Sequence, residues 1–226
     1  MKPQLKIAEA ASPDGKRLTL HTHDGHFSLR VEGKELMHSA VSASEKQLGE
    51  IAASRIAGLT AARVLIGGLG LGFTLQSVLA GAGPHTTVCV AELIPEVIAW
   101  NRTHLAGLNG TLLDDPRVTV VAANVCDILG QAAAGLYDVI LLDIDNGPTA
   151  MVHAGNARLY DRRGIERIVA ALKPGGRVAI WSAKADSAFS DRLFAAGLMV
   201  QPVPAKRHVA ARHNSYIIYV ADKAAA

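Results

Sequence analysis

Four groups of residues in this sequence have types and spacings suited to chemistry. The first is Val64-Leu65-Ile66-Gly67-Gly68-Leu69-Gly70-Leu71-Gly72, an apolar run entering a turn with glycine at 68, 70 and 72. Such a turn lets the backbone bend sharply and approach a ligand with no Cβ in the way. Nicotinamide, flavin and adenosyl-sulfonium folds all use it, and a tight turn without a ligand is the bland alternative. The second is Glu92, closing Val90-Ala91-Glu92 about 20 residues after the turn, where a carboxylate accepts both hydroxyl hydrogens of a ribose. The third is Asn124, whose amide offers a donor and an acceptor to an adenine edge or else caps the helix that follows. The fourth is Leu141-Leu142-Asp143-Ile144-Asp145-Asn146-Gly147-Pro148. Asp143 and Asp145 are the candidate catalytic acids, able to orient or deprotonate a nucleophile. Satisfying loop N–H groups is their structural alternative.

These residues need strand ends to hold them. From Arg63 onward, short apolar runs alternate with helical patterns: strands at Val64–Ile66, Thr87–Ala91, Arg117–Ala122, Tyr137–Asp143 and Arg177–Trp181. Helices are expected from Phe73 to Leu79, from Pro95, from Val125 to Ala133, from Ile165 to Leu172 and from Ser187 to Ala196. Lys173-Pro174-Gly175-Gly176 reads as a breaker, and Met199–Val203 and Ser215–Val220 as two final strands. Alternating strands and helices predict parallel pairing with both faces covered, and ligand-binding residues at the carboxyl ends of the strands. The stretch from Ile144 to about Leu159 is long for a connection, as functional loops are. Before Leu59 the pattern differs. Arg17–Thr22 and Phe27–Val31 alternate around Asp24-Gly25, and Glu32-Gly33 offers a second hairpin turn. Ser42-x-x-Glu45 has capping-box spacing ahead of a helix carrying Leu48, Ile51, Ala52 and Ile56 and ending at Gly58. The expected organisation is a hairpin extension with a linking helix over 1–58 and an α/β domain over 59–226.

Composition narrows the functions. With 226 residues, one well-buried domain and a small extension are feasible. The sequence is 50% hydrophobic but only 4% aromatic, so the core must be aliphatic. A net charge of +3 without a dominant basic face argues against nucleic acid binding. The one basic cluster, Lys206, Arg207, His208, Arg212 and His213, reads as a solvated loop, with binding of a substrate anion as the alternative. Cys89 and Cys126 sit in or beside apolar runs and read as small buried hydrophobes of a reducing compartment. His21 and His23 share one strand face, yet no further ligand supports a metal there. With no secretory pattern and no apolar run near the ~20 residues a membrane span needs, a cytoplasmic protein without membrane contacts is expected.

Taken together, the hairpins with their Val31-Glu32-Gly33 turn, the glycine turn, Glu92, Tyr137-Asp138-Val139-Ile140 leading to Asp143, and Leu172-Lys173-Pro174-Gly175-Gly176 resemble the spermidine synthase family. These polyamine aminopropyltransferases share the class I methyltransferase fold. The resemblance implies a Rossmann-like, mostly parallel sheet with an antiparallel last strand, and a homodimer. It also implies that Glu92 holds the ribose of the donor, that position 124 faces adenine, and that the loop after Asp143 lines the site of a small-molecule acceptor. No metal is implied. The chain departs from the family pattern at Leu71, where members carry an Asp, at Asn124, usually Asp, and at Asp143-Ile144-Asp145-Asn146, where an Asp-Ser-x-Asp-Pro type motif is usual. The groove residues expected around Lys34–Glu50 are not recognisable. Three functions remain open: aminopropyl transfer from decarboxylated S-adenosylmethionine to an amine, methyl transfer from S-adenosylmethionine, and nucleoside binding without catalysis. Aminopropyl transfer predicts acids near the reacting amine and no cation near the donor tail. In methyl transfer the glycine turn receives the methionine carboxylate, and Leu71 removes a repulsion against it.

Overall fold

The computed structural model describes residues 3–144, 154–211 and 213–225. Its N-terminal part is a four-stranded antiparallel meander of β1 (Leu5–Ala11), β2 (Arg17–His23), β3 (His26–Val31) and β4 (Lys34–His38). The two hairpin turns form as the sequence predicts. Asp24 and Gly25 have φ of 46° and 78°, and Glu32 and Gly33 have φ of 49° and 75°. Positive φ at both central residues is what a two-residue hairpin requires to match strand twist. Strand β1, which the sequence pattern does not single out, pairs with β2 through a register shift between Lys6 and Ala8. It is mostly exposed, so its sequence carries little alternation.

Helix α1 (Ala43–Ile56) then leads into the main sheet. This sheet has seven strands in the order β10-β11-β9-β8-β5-β6-β7, with β5 (Arg63–Gly67), β6 (Thr87–Glu92), β7 (Val118–Ala122), β8 (Tyr137–Leu142) and β9 (Leu172–Ser182) parallel. The final strand β11 (Tyr216–Lys223) runs antiparallel between β9 and β10 (Leu198–Ala205). This is the mostly parallel class I methyltransferase arrangement. Lys173-Pro174-Gly175-Gly176 does not lie between a helix and a strand as the breaker reading implies. It is taken into the start of β9, where the pairing with β8 shifts register between Tyr137 and Val139. Gly175 at φ 71° absorbs the irregularity.

Helices cover both faces. On one side α2 (Phe73–Gly81) packs with α1, and their contact is set by Gly49. A Cβ at Gly49 would stand 2.5 Å from Ser77 Cβ and 2.6 Å from the Thr74 carbonyl oxygen. The crossing is therefore closer than any side chain permits. The core on this side holds Leu48, Ala52, Ile56, Val64, Ile66, Leu75 and Val78. The opposite face packs α5 (Val125–Gln131), α6 (Arg162–Ala171) and α7 (Ser187–Ala195) around Leu65, Ile140, Leu142, Ile168 and Phe189. A third cluster joins the N-terminal sheet to α3 (Pro95–Arg102) through Leu18, Leu20, Leu29, Val31, Phe73, Val97 and Trp100. The expected aliphatic core is present, and the four-residue α4 (Ala106–Asn109) takes up the end of the helical pattern begun at Pro95.

Gly49→Ala tests whether the close α1–α2 crossing holds the fold. Alanine favours a helix over glycine by about 1 kcal/mol, but overpacking a tight contact costs about 1–3 kcal/mol. The variant is expected to unfold at lower urea concentration than the wild type.

Candidate active site

The carboxyl ends of β5, β6, β8 and β9 open onto one cleft of about 820 Å³, counting the space that merges with solvent. Its wall includes Gly68, Gly70, Glu92, Asn124 and Asp143. Members of all four groups read from the sequence are thus gathered at one place. Asp145, with residues 145–153 of the stretch expected as a loop, lies outside the described residues; the end of that stretch, Ala154–Leu159, is a 3-10 helix that brings Asn156 to the cleft wall.

The glycine turn is built by hydrogen bonds between strand ends. Gly68 N–H donates to the Ala91 carbonyl at 2.8 Å, and Asp143 N–H donates to the Gly67 carbonyl at 2.8 Å. A Cβ at Gly68 would lie 2.2 Å from the Asp143 carbonyl oxygen, and Gly68 has φ of 92°, so neither space nor conformation admits a side chain. Gly72, at φ 87°, caps α2. A relay beneath the turn holds it in place: buried Asn101 donates from Nδ2 to the Gly70 carbonyl at 2.9 Å, and Asn109 Nδ2 donates to Asn101 Oδ1 at 2.6 Å. Leu71 is buried in the cluster beneath the N-terminal sheet and does not line the cleft.

Glu92 ties this turn to the next strand end. Its Oε2 accepts the Leu69 N–H at 2.9 Å and its Oε1 accepts the Ile94 N–H at 2.9 Å. Burial pushes its carboxyl above the usual range, while hydrogen bonds from the backbone N–H groups of Leu69, Ile94, Gly70 and Leu93 pull against that shift. A carboxylate has about four lone-pair sites. The closest of these hydrogen bonds, from Leu69 and Ile94, take one site on each oxygen. Asn124 serves the capping role: Oδ1 accepts the Cys126 N–H at 2.9 Å. Because this uses only the carbonyl oxygen and the residue also lines the cleft, the cap and an adenine contact from the amide NH₂ are compatible.

Asp143, at the end of β8, is half-buried. Thr74 Oγ1 donates to its Oδ2 at 2.5 Å. Removal from water and then the nearby Glu45 charge push its carboxyl up to about 7. Glu45 itself is buried on α1, also lines the cleft, and is raised mainly by burial. This acid is a functional candidate the sequence reading missed. Its spacing from Ser42 suggests a capping box, but Ser42 makes no side-chain cap. The Glu45 carboxylate instead accepts a hydrogen bond from Ser44 Oγ at 2.6 Å. Sequence reasoning also missed Trp181 and Asn156 on the wall, and the apolar face formed by Leu18, Leu29, Leu36 and Met37. That face was legible as hairpin alternation, but nothing in the alternation says which cleft it covers. Among the described lining residues the charged side chains are Glu45, Glu92 and Asp143, all acids.

Elsewhere, His21 Nε2 hydrogen-bonds with Thr19 Oγ1 at 3.0 Å, and among the described residues no group of three or more His, Cys, Asp or Glu is placed to hold a metal. Cys89 and Cys126 are free. The described part of the basic cluster lies between β10 and β11 and supplies none of the cleft's lining residues; there the Arg207 carbonyl accepts the Ala43 N–H at 3.3 Å.

Glu92→Ala is expected to weaken methylthioadenosine binding about tenfold or more, the usual cost of removing hydrogen bonds to a charged group. Unchanged affinity in calorimetry would remove Glu92 from the nucleoside site. A second expectation concerns stability. A carboxyl raised from 3.8 to about 7 in the folded state disfavours folding increasingly as pH rises across that window. Asp143→Asn should therefore raise the melting temperature relative to wild type at pH 8 and not at pH 4.

No protein-family model matches the chain. A polyamine aminopropyltransferase from Synechococcus sp. (strain JA-2-3B'a(2-13)) is 32% identical over 179 residues, covering 78% of this chain and 52% of that protein. The chain thus spans about half the length of this relative. Putrescine N-methyltransferase 1 from Nicotiana tabacum is 32% identical over 118 residues, 51% of this chain and 28% of that protein. Among solved structures, a spermidine synthase in complex with the transition state analogue AdoDATO superimposes with a TM-score of 0.78 at 19% identity, covering 98% of this chain and 74% of that one. Sequence similarity and shared frame bear out the resemblance carried by the motifs: the chain is spermidine synthase-like, similar to the polyamine aminopropyltransferases and built on the class I methyltransferase fold.

Proposed function

We propose that the protein transfers an aminopropyl group from decarboxylated S-adenosylmethionine to a small amine. The observation that carries this reading is the charge of the cleft, whose described lining bears three acids and no Lys, Arg or His. A decarboxylated donor brings a sulfonium and an ammonium, both cations. A carboxylated donor would add a methionine carboxylate to a wall of acids, an unfavourable pairing at low dielectric. The adenosine portion fits the elements already described, with its ribose on Glu92 and its adenine beside Asn124.

In the reaction the neutral amine nitrogen of the acceptor attacks the aminopropyl carbon bonded to sulfur. The C–N bond forms as the C–S bond breaks, and the sulfur leaves uncharged as methylthioadenosine. The protein's work is alignment and removal of a proton from the amine. Asp143 suits the second task because its carboxyl is raised into the neutral range, where a base is most effective. The apolar wall of Leu18, Leu29, Leu36 and Met37 helps to exclude water from the sulfonium. Asp145 remains a second catalytic candidate on its sequence position alone.

Methyl transfer is the second reading, favoured by similarity to a putrescine N-methyltransferase and by Leu71, which places no acid in the glycine turn. The homodimer implied by the resemblance and the cytoplasmic location expected from the sequence belong to the same proposal. Among the described residues no helix is long and apolar enough to cross a membrane.

The test is release of methylthioadenosine from decarboxylated S-adenosylmethionine in the presence of a panel of primary amines. The wild type is expected to turn over. Asp143→Asn is expected to lose at least 100-fold in rate, the scale of general base catalysis, while still binding methylthioadenosine. A fully active Asp143→Asn would take the base role from Asp143. Nucleoside binding with no turnover on any amine would favour a non-catalytic binding protein.

A further inference from the structure

The acids of the cleft are not equivalent. Both carboxylate oxygens of Glu92 are held by backbone N–H groups at 2.9 Å. Glu45 and Asp143 instead line one part of the cleft beside Thr74, whose hydroxyl is 2.5 Å from Asp143 Oδ2 and 3.2 Å from the main-chain carbonyl oxygen of Glu45. The glycine contact at Gly49 fixes this arrangement, because it sets α1, which carries Glu45, against α2, which carries Thr74.

Building on the adenosyl-donor reading above, we propose that Glu45 and Asp143 work as one carboxyl pair that binds a single ammonium group and releases a shared proton to solvent as the ammonium enters. Glu45 is then an anchoring residue of the amine site, contributed from outside the main sheet.

Three observations support the pair. Both side chains line the same cleft, and no Lys, Arg or His among the described lining residues neutralises them. A hydroxyl carries one hydrogen, and the two hydroxyls at hand, Thr74 and Ser44, each serve one acid. Two such carboxylates close together in a poorly solvated site cannot both ionise cheaply, so the empty pair retains a proton. The directions of the two carboxyls agree: each is raised by removal from water, and Asp143 also by the Glu45 charge. The other groups facing this region are Glu92 on β6, Tyr216 on β11, Arg207 before β11 and Glu35 on β4. Burial raises the Tyr216 phenol, which also feels Arg207, Glu45 and Glu35, so it stays neutral where the pair titrates.

The ammonium has two chemical sources, the donor's aminopropyl tail or the acceptor. Calorimetry separates them in two arms: decarboxylated S-adenosylmethionine titrated into free protein, and putrescine titrated into protein saturated with methylthioadenosine. Each is run from pH 6 to 9 in two buffers of different ionisation enthalpy. In the arm that supplies the ammonium, affinity is expected to rise about tenfold between pH 6 and 8 and then level. Up to one proton should be released at the acid end and none at pH 9. Glu45→Gln should move the inflection to lower pH, because Asp143 loses a like charge, and should weaken binding about tenfold at pH 8. Glu45→Asp should retain proton release, which a role confined to packing would not predict.

Affinity independent of pH in both arms, or an unmoved inflection in Glu45→Gln, would overturn the pair. Failure of methylthioadenosine itself to bind would sink the donor reading and this inference together. Methylthioadenosine binding with flat amine profiles would sink this inference alone.

Discussion

The buried carboxylate of Glu92 is the interaction on which the rest of the site depends. Placing a carboxylate at the end of an interior strand costs several kcal/mol unless hydrogen bonds replace the water it loses. Here the replacements are main-chain N–H groups of the glycine turn and of the segment entering α3, so one side chain fastens β5 to β6 at the edge that opens onto the cleft. The glycines follow from this arrangement. Because Gly68 sits against the Asp143 carbonyl, the turn also reaches β8, and three strand ends become one surface. The Asn101–Asn109 relay supports the same turn from below.

A second constraint is electrostatic. Glu45 and Asp143 line the same cleft, with Thr74 of α2 bonded to the Asp143 carboxylate and to the Glu45 main-chain carbonyl across the close α1–α2 crossing, and an apolar wall on the N-terminal side. An empty cleft of this kind is costly for the fold and favourable for a cation. Such frustration is common where a protein reserves charge for a ligand, and it is concentrated here at the carboxyl ends of the central strands. The N-terminal meander takes part by covering the cleft with Leu18, Leu29, Leu36 and Met37.

Much of this was legible in the sequence because it is local. The glycine turn, Glu92 at its fixed distance, Asp143 at the end of the most apolar strand and both hairpin turns each follow from short-range chemistry, and all lie where the pattern predicts. What escaped depends on tertiary contact. Glu45 has the spacing of a capping residue, and only the packing of α1 on α2 turns its carboxylate into the cleft. Strand β1 is mostly exposed and shows little alternation, so only its partner β2 defines it. The Lys173–Gly176 segment joins β9 because positive φ at Gly175 lets pairing resume after a shift, whereas its composition signals only a break. Asn124 allowed two roles from sequence, and the geometry makes them compatible.

The central claim is that the cleft is built for a donor without a carboxylate. Calorimetric titration of the purified protein with decarboxylated S-adenosylmethionine and with S-adenosylmethionine, at one pH and salt concentration, tests it directly. The account predicts tighter binding of the decarboxylated donor, by about tenfold or more, because the acids at Glu45 and Asp143 attract its ammonium and repel the methionine carboxylate. Equal affinity, or preference for S-adenosylmethionine, would contradict the account and make methyl transfer the better reading of the same frame.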